Sequence, residues 1–116
     1  MDDNLEKGLT LLKEGKFHDA IECFNKIIKM NPNDSDARYH KGYSLYSLNN
    51  YTEAIKTLDK ALKIDPFYVN AWFYKAFSLS DLGNLEETLE CYQKILEINL
   101  DHFDTVVERG KVLSIL

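Results

Sequence analysis

No stretch of this chain approaches the roughly 18 consecutive apolar residues of a membrane-spanning helix. The opening residues, MDDNLEKG, are acidic and carry no apolar run, so no secretory signal is expected. Basic residues are not in excess: 14 Lys and Arg stand against 19 Asp and Glu, a formal net charge of −5. That balance makes the chain as a whole a poor match for a phosphate backbone. Catalytic signatures are missing too. There is no glycine-rich phosphate loop, nucleophile elbow or HExxH. His18, His40 and His102 lie far apart, none paired with a second metal ligand at helical spacing. The carboxylates Glu86, Glu87 and Glu90 open a helix, where negative charge is favoured by the dipole, and read as a solvated face. No enzyme activity, cofactor or metal is expected. Strand-like alternation is absent throughout. With 45% hydrophobic and 28% charged residues over 116 positions, the chain reads as one soluble, cytoplasmic domain long enough to bury a core.

What the sequence does contain is repetition. FHDAIECFNKIIKMNP at 17–32 returns as YTEAIKTLDKALKIDP at 51–66 and as LEETLECYQKILEINL at 85–100, each start 34 residues after the last. The mismatches keep their character: Phe24, Leu58 and Tyr92 are all large and apolar. A fixed period of that size marks a repeat architecture. Within each phrase the apolar residues fall at helical spacing, as with Ile55, Leu58, Ala61 and Leu62. Breaks are expected at Gly15, Asn49 and Gly83, which accept the left-handed conformation that ends a helix, and Pro32 and Pro66 close the units. The spacing predicts helices near 3–14, 18–30, 36–48, 52–64, 70–82, 86–98 and 103–115. Short connections make neighbours antiparallel, and hairpins that cannot bury their own apolar faces must stack into a solenoid. Cys23 and Cys91 recur at one place two units apart, too distant for a disulfide, and are expected to be small buried hydrophobes in a reducing compartment.

These features resemble the tetratricopeptide repeat family over the whole chain. Repeats are assigned to 1–34, 35–68 and 69–102 of a single domain spanning 1–116, with a terminal helix at 103–116. The family's small residue in the first helix appears as Gly8, Gly42, Ala76 and Gly110, and that of the second helix as Ala20, Ala54 and Thr88. Trp72 stands where the family carries tryptophan. The resemblance implies an all-α, right-handed solenoid of antiparallel helix hairpins and a non-catalytic interaction role. Departures are Leu100 in place of the closing proline, Leu85 where the other units have Phe17 and Tyr51, and a cation at the family's leucine position: Lys7, Lys41, Lys75 and Arg109. Those cations are read as long stems along the core edge with their charge in water.

The resemblance further implies that the first helix of each unit lines a concave groove with its second, fifth, ninth and twelfth places. The fifth place holds Leu5, Tyr39, Phe73 and Val107; the ninth Leu9, Tyr43, Phe77 and Lys111; the twelfth Leu12, Tyr46, Ser80 and Ser114. Asn70 lies nearby, with Tyr74 and His40 at the rim. Leu9, Tyr43 and Phe77 stand where the family commonly carries asparagine, so the groove is expected to be apolar and aromatic, its rings substantially solvent-accessible. It would suit a peptide or an amphipathic helix of a protein partner.

Some family members grip chaperone C-terminal carboxylates with a basic clamp. The corresponding positions here are Leu5, Leu9, His40, Asn70 and Tyr74, of which only His40 can carry positive charge. Binding of that kind is therefore not expected. Nucleic-acid binding is a weaker alternative: Lys56, Lys60 and Lys63 share a helix face, but unit charges of −2, +1 and −4 leave no basic stripe. Val112, Leu113, Ile115 and Leu116 crowd the last helix with apolar groups. Either the natural protein continues past Leu116 or this end associates with another molecule, a second copy included.

Overall fold

The computed structural model describes residues 3–116. Within them lie seven helices and no strand: α1 (Asp3–Lys13), α2 (Phe17–Met30), α3 (Ser35–Ser47), α4 (Tyr51–Ile64), α5 (Val69–Asp81), α6 (Leu85–Ile98) and α7 (Phe103–Ile115). Every boundary falls within one residue of the expectation from spacing. Gly15, Asn49 and Gly83 take φ values of 75°, 64° and 84°, so the three predicted breaks are left-handed turns that let each second helix fold back on its first. Consecutive helices pair, each hairpin stacks on the next, and α3 also touches α5 directly. The result is an all-α solenoid with principal extents of 44 × 24 × 21 Å.

The small positions explain how closely the hairpins cross. A methyl built on Gly42 would lie 2.5 Å from Leu58 Cδ2, and one on Gly8 would lie 2.7 Å from the Phe24 ring. Phe24, Leu58 and Tyr92 are fully or almost fully buried, and each contributes about 1.5–3 kcal/mol by leaving water. Ala20, Ala54 and Thr88, one turn earlier on the same helices, are buried as well. The fourth member of the small series differs. Among the described residues, nothing lies within 4 Å of a methyl built on Gly110, so this socket is open. Val112 joins the core of α5 and α6, while Phe103, Val106, Leu113, Ile115 and Leu116 remain exposed.

Joints between units repeat a second device. Trp72 Nε1 donates to the Pro66 carbonyl at 2.8 Å, and Arg38, one period earlier, donates from Nε to the Pro32 carbonyl at 3.0 Å. The lysine series also gains a structural account. Lys75 Nζ meets Asp59 Oδ1 at 2.7 Å and lies over the Trp72 ring, so this ammonium is paired across units instead of resting in water. Cys23 and Cys91 are both buried free thiols, and burial pushes the Cys91 thiol up to about 11. None of the helices among the described residues is long and apolar enough to cross a membrane.

Candidate functional site

Helical periodicity puts residues four apart on one face. On α3 that face carries Tyr39, Tyr43 and Tyr46; on the adjoining α5 it carries Phe73 and Phe77, with Tyr74 beside them. The rings meet. Phe73 and Phe77 lie 4.6 Å apart between centroids, and Tyr46 stacks on Phe77 at 6.0 Å. Tyr43 points its edge against Tyr74 at 4.9 Å.

Tyr74 is not at the rim. Its ring also contacts Tyr39, Tyr46, Phe73 and Phe77, which places it at the centre of the aromatic surface. The rings are consequently half-buried by one another, not freely exposed as expected from the sequence. Burial pushes the Tyr74 phenol up, with Tyr43 adding to the effect, and the Tyr39 phenol rises further for the same reason. Both stay protonated at neutral pH and keep an O–H to donate.

At one edge, His40 stacks on Phe24 at 5.4 Å and tilts against Tyr39. Burial lowers its pKa, outweighing the pull of Asp36 and Asp34, so near neutrality the imidazole is held toward its uncharged form. At the opposite edge, Phe73 reaches Tyr92 and His102. His102 serves the fold: its Nδ1 accepts the Thr105 N–H at 3.3 Å and caps α7. Asn70 is exposed at the start of α5. Leu5, Leu9 and Leu12 are half-buried on α1, outside the ring-to-ring contacts.

Sequence reading overlooked Tyr68. Its place in the period belongs to helix caps: Asp34 caps α3 by accepting the Ala37 N–H at 3.0 Å, and His102 caps α7. Tyr68 makes no such bond. Its ring stacks on Tyr39 at 5.0 Å and its hydroxyl donates to Asp36 Oδ1 at 2.6 Å, extending the aromatic surface across the joint between units. The available signal was a large aromatic standing where its counterparts are small polar caps.

The tetratricopeptide repeat family model matches residues 5–69, and a second tetratricopeptide model matches 57–90. No match was found among curated proteins. Among solved structures, the first TPR of Spaghetti (RPAP3) bound to the HSP90 peptide SRMEEVD superposes with a TM-score of 0.91 at 24% identity, covering 94% of this chain and 86% of that one. The second TPR domain of human RPAP3, in complex with the HSP70 peptide SGPTIEEVD, gives 0.89 at 24% identity, with 94% and 91% covered. MamA gives 0.91 at 22% identity, with 96% and 65% covered.

These neighbours correct one expectation. Leu5, Leu9, His40, Asn70 and Tyr74 form no basic clamp, which argues against chaperone tails, yet two structures of this fold hold HSP90 and HSP70 peptides ending in EEVD. The expectation that excludes chaperone peptides is therefore corrected, since this fold holds them in both structures. A carboxylate also accepts hydrogen bonds from neutral donors, and tyrosine hydroxyls and the Asn70 amide are such donors. With the family model covering more than half of its length, the chain belongs to the tetratricopeptide repeat family.

Proposed function

We propose that this chain is a non-catalytic interaction module that holds a peptide, or an amphipathic helix of a partner, against the aromatic surface of α3 and α5. The observation that carries this reading is the run of rings from Tyr68 through Tyr39 and Tyr74 to Phe77. Rings already fixed by their neighbours offer contact area with little further loss of rotamer entropy. The phenol O–H groups of Tyr39, Tyr43 and Tyr74 and the exposed amide of Asn70 supply polar contacts to a peptide backbone or a terminal carboxylate. Peptides ending in acidic residues therefore lie within the ligand range, as the peptides bound by fold neighbours support.

Fluorescence anisotropy with a labelled SRMEEVD peptide and with a labelled amphipathic apolar helix tests the reading. The expectation is saturable binding of at least one ligand, with roughly micromolar affinity, lost when Tyr74 is replaced by alanine in a variant that remains helical. Binding that survives this replacement places the ligand elsewhere.

A second reading concerns α7. Its empty Gly110 socket and the exposed Val106 and Leu113 beside it form an apolar face that supports self-association through the last helix. Sedimentation velocity from low to high micromolar concentration should show association that Leu113→Glu abolishes. A monomer across that range removes this reading.

A further inference from the structure

The solenoid provides its own control for separating what the fold requires from what it does not, because each joint is built on the same frame. Between the α2–α3 loop and α4 lies an open cavity of about 540 Å³ lined by Pro32, Asn33, Arg38, Lys60, Lys63 and Ile64. Three of these six residues are cations, and none is an acid. One period later the same places hold Pro66, Phe67, Trp72, Lys94, Glu97 and Ile98. There, a single cation pairs with a carboxylate on its own helix, Lys94 with Glu97 at 4.0 Å. The joint thus closes with Trp72 as it does with Arg38, each donating to the preceding proline carbonyl. Nothing in the packing calls for three cations around the earlier cavity.

Nearby carboxylates are oriented toward other partners and lie beyond ion-pair distance of these cations. Asp34 accepts the Ala37 N–H as the α3 cap, and Asp36 accepts the Tyr68 hydroxyl. Glu53 pairs with Lys56 at 3.8 Å. Among the described residues, Arg38, Lys60 and Lys63 form no ion pair. Lys41, on the same side of α3, responds to this charge: burial first, then Lys60 and Arg38, lower its ammonium pKa against the pull of Glu53. The cluster is concentrated positive charge on a protein whose net charge is −5.

We propose that this cavity is a second binding site, distinct from the aromatic surface, which takes an oxyanion carried by an acidic peptide segment, either a carboxylate or a phosphorylated side chain. Arg38 is held by its Nε bond to Pro32, which leaves the remaining guanidinium N–H groups to grip two oxygens of one anion. Lys60 and Lys63 add flexible point charges on the opposite wall, while Pro32 and Ile64 give a small apolar surface for the flanking chain. A peptide fits better than a nucleic acid. The positive charge is confined to one joint, whereas a polyanion follows a basic track that the acidic third unit would interrupt.

The test uses the intact chain and asks for a site, not for general attraction. Amide chemical shifts are followed at low ionic strength, about 20 mM salt, where such pairs are least screened. A phosphoserine peptide, a hexaglutamate peptide and a short single-stranded DNA are titrated separately. At least one peptide should give saturating shifts confined to Asn33, Arg38, Lys60 and Lys63. The double variant Arg38→Trp with Lys63→Glu copies the third unit into the second, a combination already folded at the next joint. It should weaken that peptide roughly tenfold or more, while circular dichroism stays unchanged. Arg38→Lys should lose most of the affinity as well, since it keeps the charge and removes the fork. Shifts spread over all lysines, equal binding by the double variant, or DNA binding more tightly than both peptides at these residues would each overturn the proposal.

Discussion

Lys75 Nζ of α5 sits 2.7 Å from Asp59 Oδ1 of α4 and 5.3 Å from the Trp72 ring centroid, one cation bridging two repeat units. The side chain is only 21% exposed, so this pair is better shielded than an ordinary surface ion pair. Lys75→Met keeps the apolar stem and removes the charge. It should cost about 1 kcal/mol or less, and Asp59→Asn should cost a similar amount. Urea melts of both single variants and of the double variant measure this. If the charge pair carries the effect, the double variant loses clearly less than the sum of the two singles.

The small-residue series yields a contrast within one protein. Gly42→Ala drives a methyl into Leu58, which is fully buried and has no room to yield, so about 1–3 kcal/mol of stability should be lost. Gly110→Ala meets nothing and replaces a poor helix former by the best one, so a gain of up to about 1 kcal/mol is expected. Thermal melts of the two variants should therefore move in opposite directions. A Gly110→Ala variant that melts well below wild type would mean that the socket is filled in solution.

This contrast shows how far a period can be read. Helix limits, left-handed breaks and small-to-large crossings were legible because each depends on residues within one hairpin, and the three copies average out local exceptions. What the period does not encode is the rotation of one unit on the next. Tyr74 reads as a rim residue along α5 alone; the approach of α3 makes it the ring that the others surround. Tyr68 was invisible for a related reason. In a linear reading it is the residue before a helix, and only the joint brings its ring over Tyr39 and its hydroxyl to Asp36. The Asp59 partner of Lys75 also lies on the preceding unit, so along α5 alone this cation at a leucine position has no visible counter-charge.

His40 gives a pH prediction whose sign follows from burial. Desolvation lowers its folded-state pKa below the unfolded value of about 6.5. The folded protein then binds fewer protons than the unfolded one, and stability rises with pH in that window. His40 should therefore contribute fully above about pH 6.5, and stability should fall as the pH drops through the lowered folded-state value. Urea midpoints measured between about pH 7 and pH 5 should decline in the wild type and flatten in His40→Gln, whose amide does not titrate. Equal slopes for the two proteins would assign the pH dependence to other groups.

The aromatic surface can be separated from the core by choosing rings according to their neighbours. Tyr43 meets one ring, Tyr74, edge-on at 4.9 Å, whereas Phe77 packs against Phe73, Tyr74 and Tyr46. Truncating Tyr43 therefore removes contact area from the face with little loss to the fold, while truncating Phe77 undermines the platform itself. Tyr43→Ala should weaken peptide binding about tenfold, near 1.4 kcal/mol, and lower the melting temperature by no more than about 4 °C. Phe77→Ala should lower both affinity and melting temperature. Tyr74→Phe distinguishes polar from apolar recognition, because it keeps the central ring and removes one hydroxyl. An acidic-ended peptide that uses this O–H should lose affinity by about 0.5–1.5 kcal/mol, and an apolar helix should lose none. These three variants, titrated with both peptides beside their melting curves, form the decisive set. Should Tyr43→Ala stay folded and bind each peptide as tightly as wild type, the rings of α3 and α5 serve the solenoid's packing, and its ligand surface lies on another face.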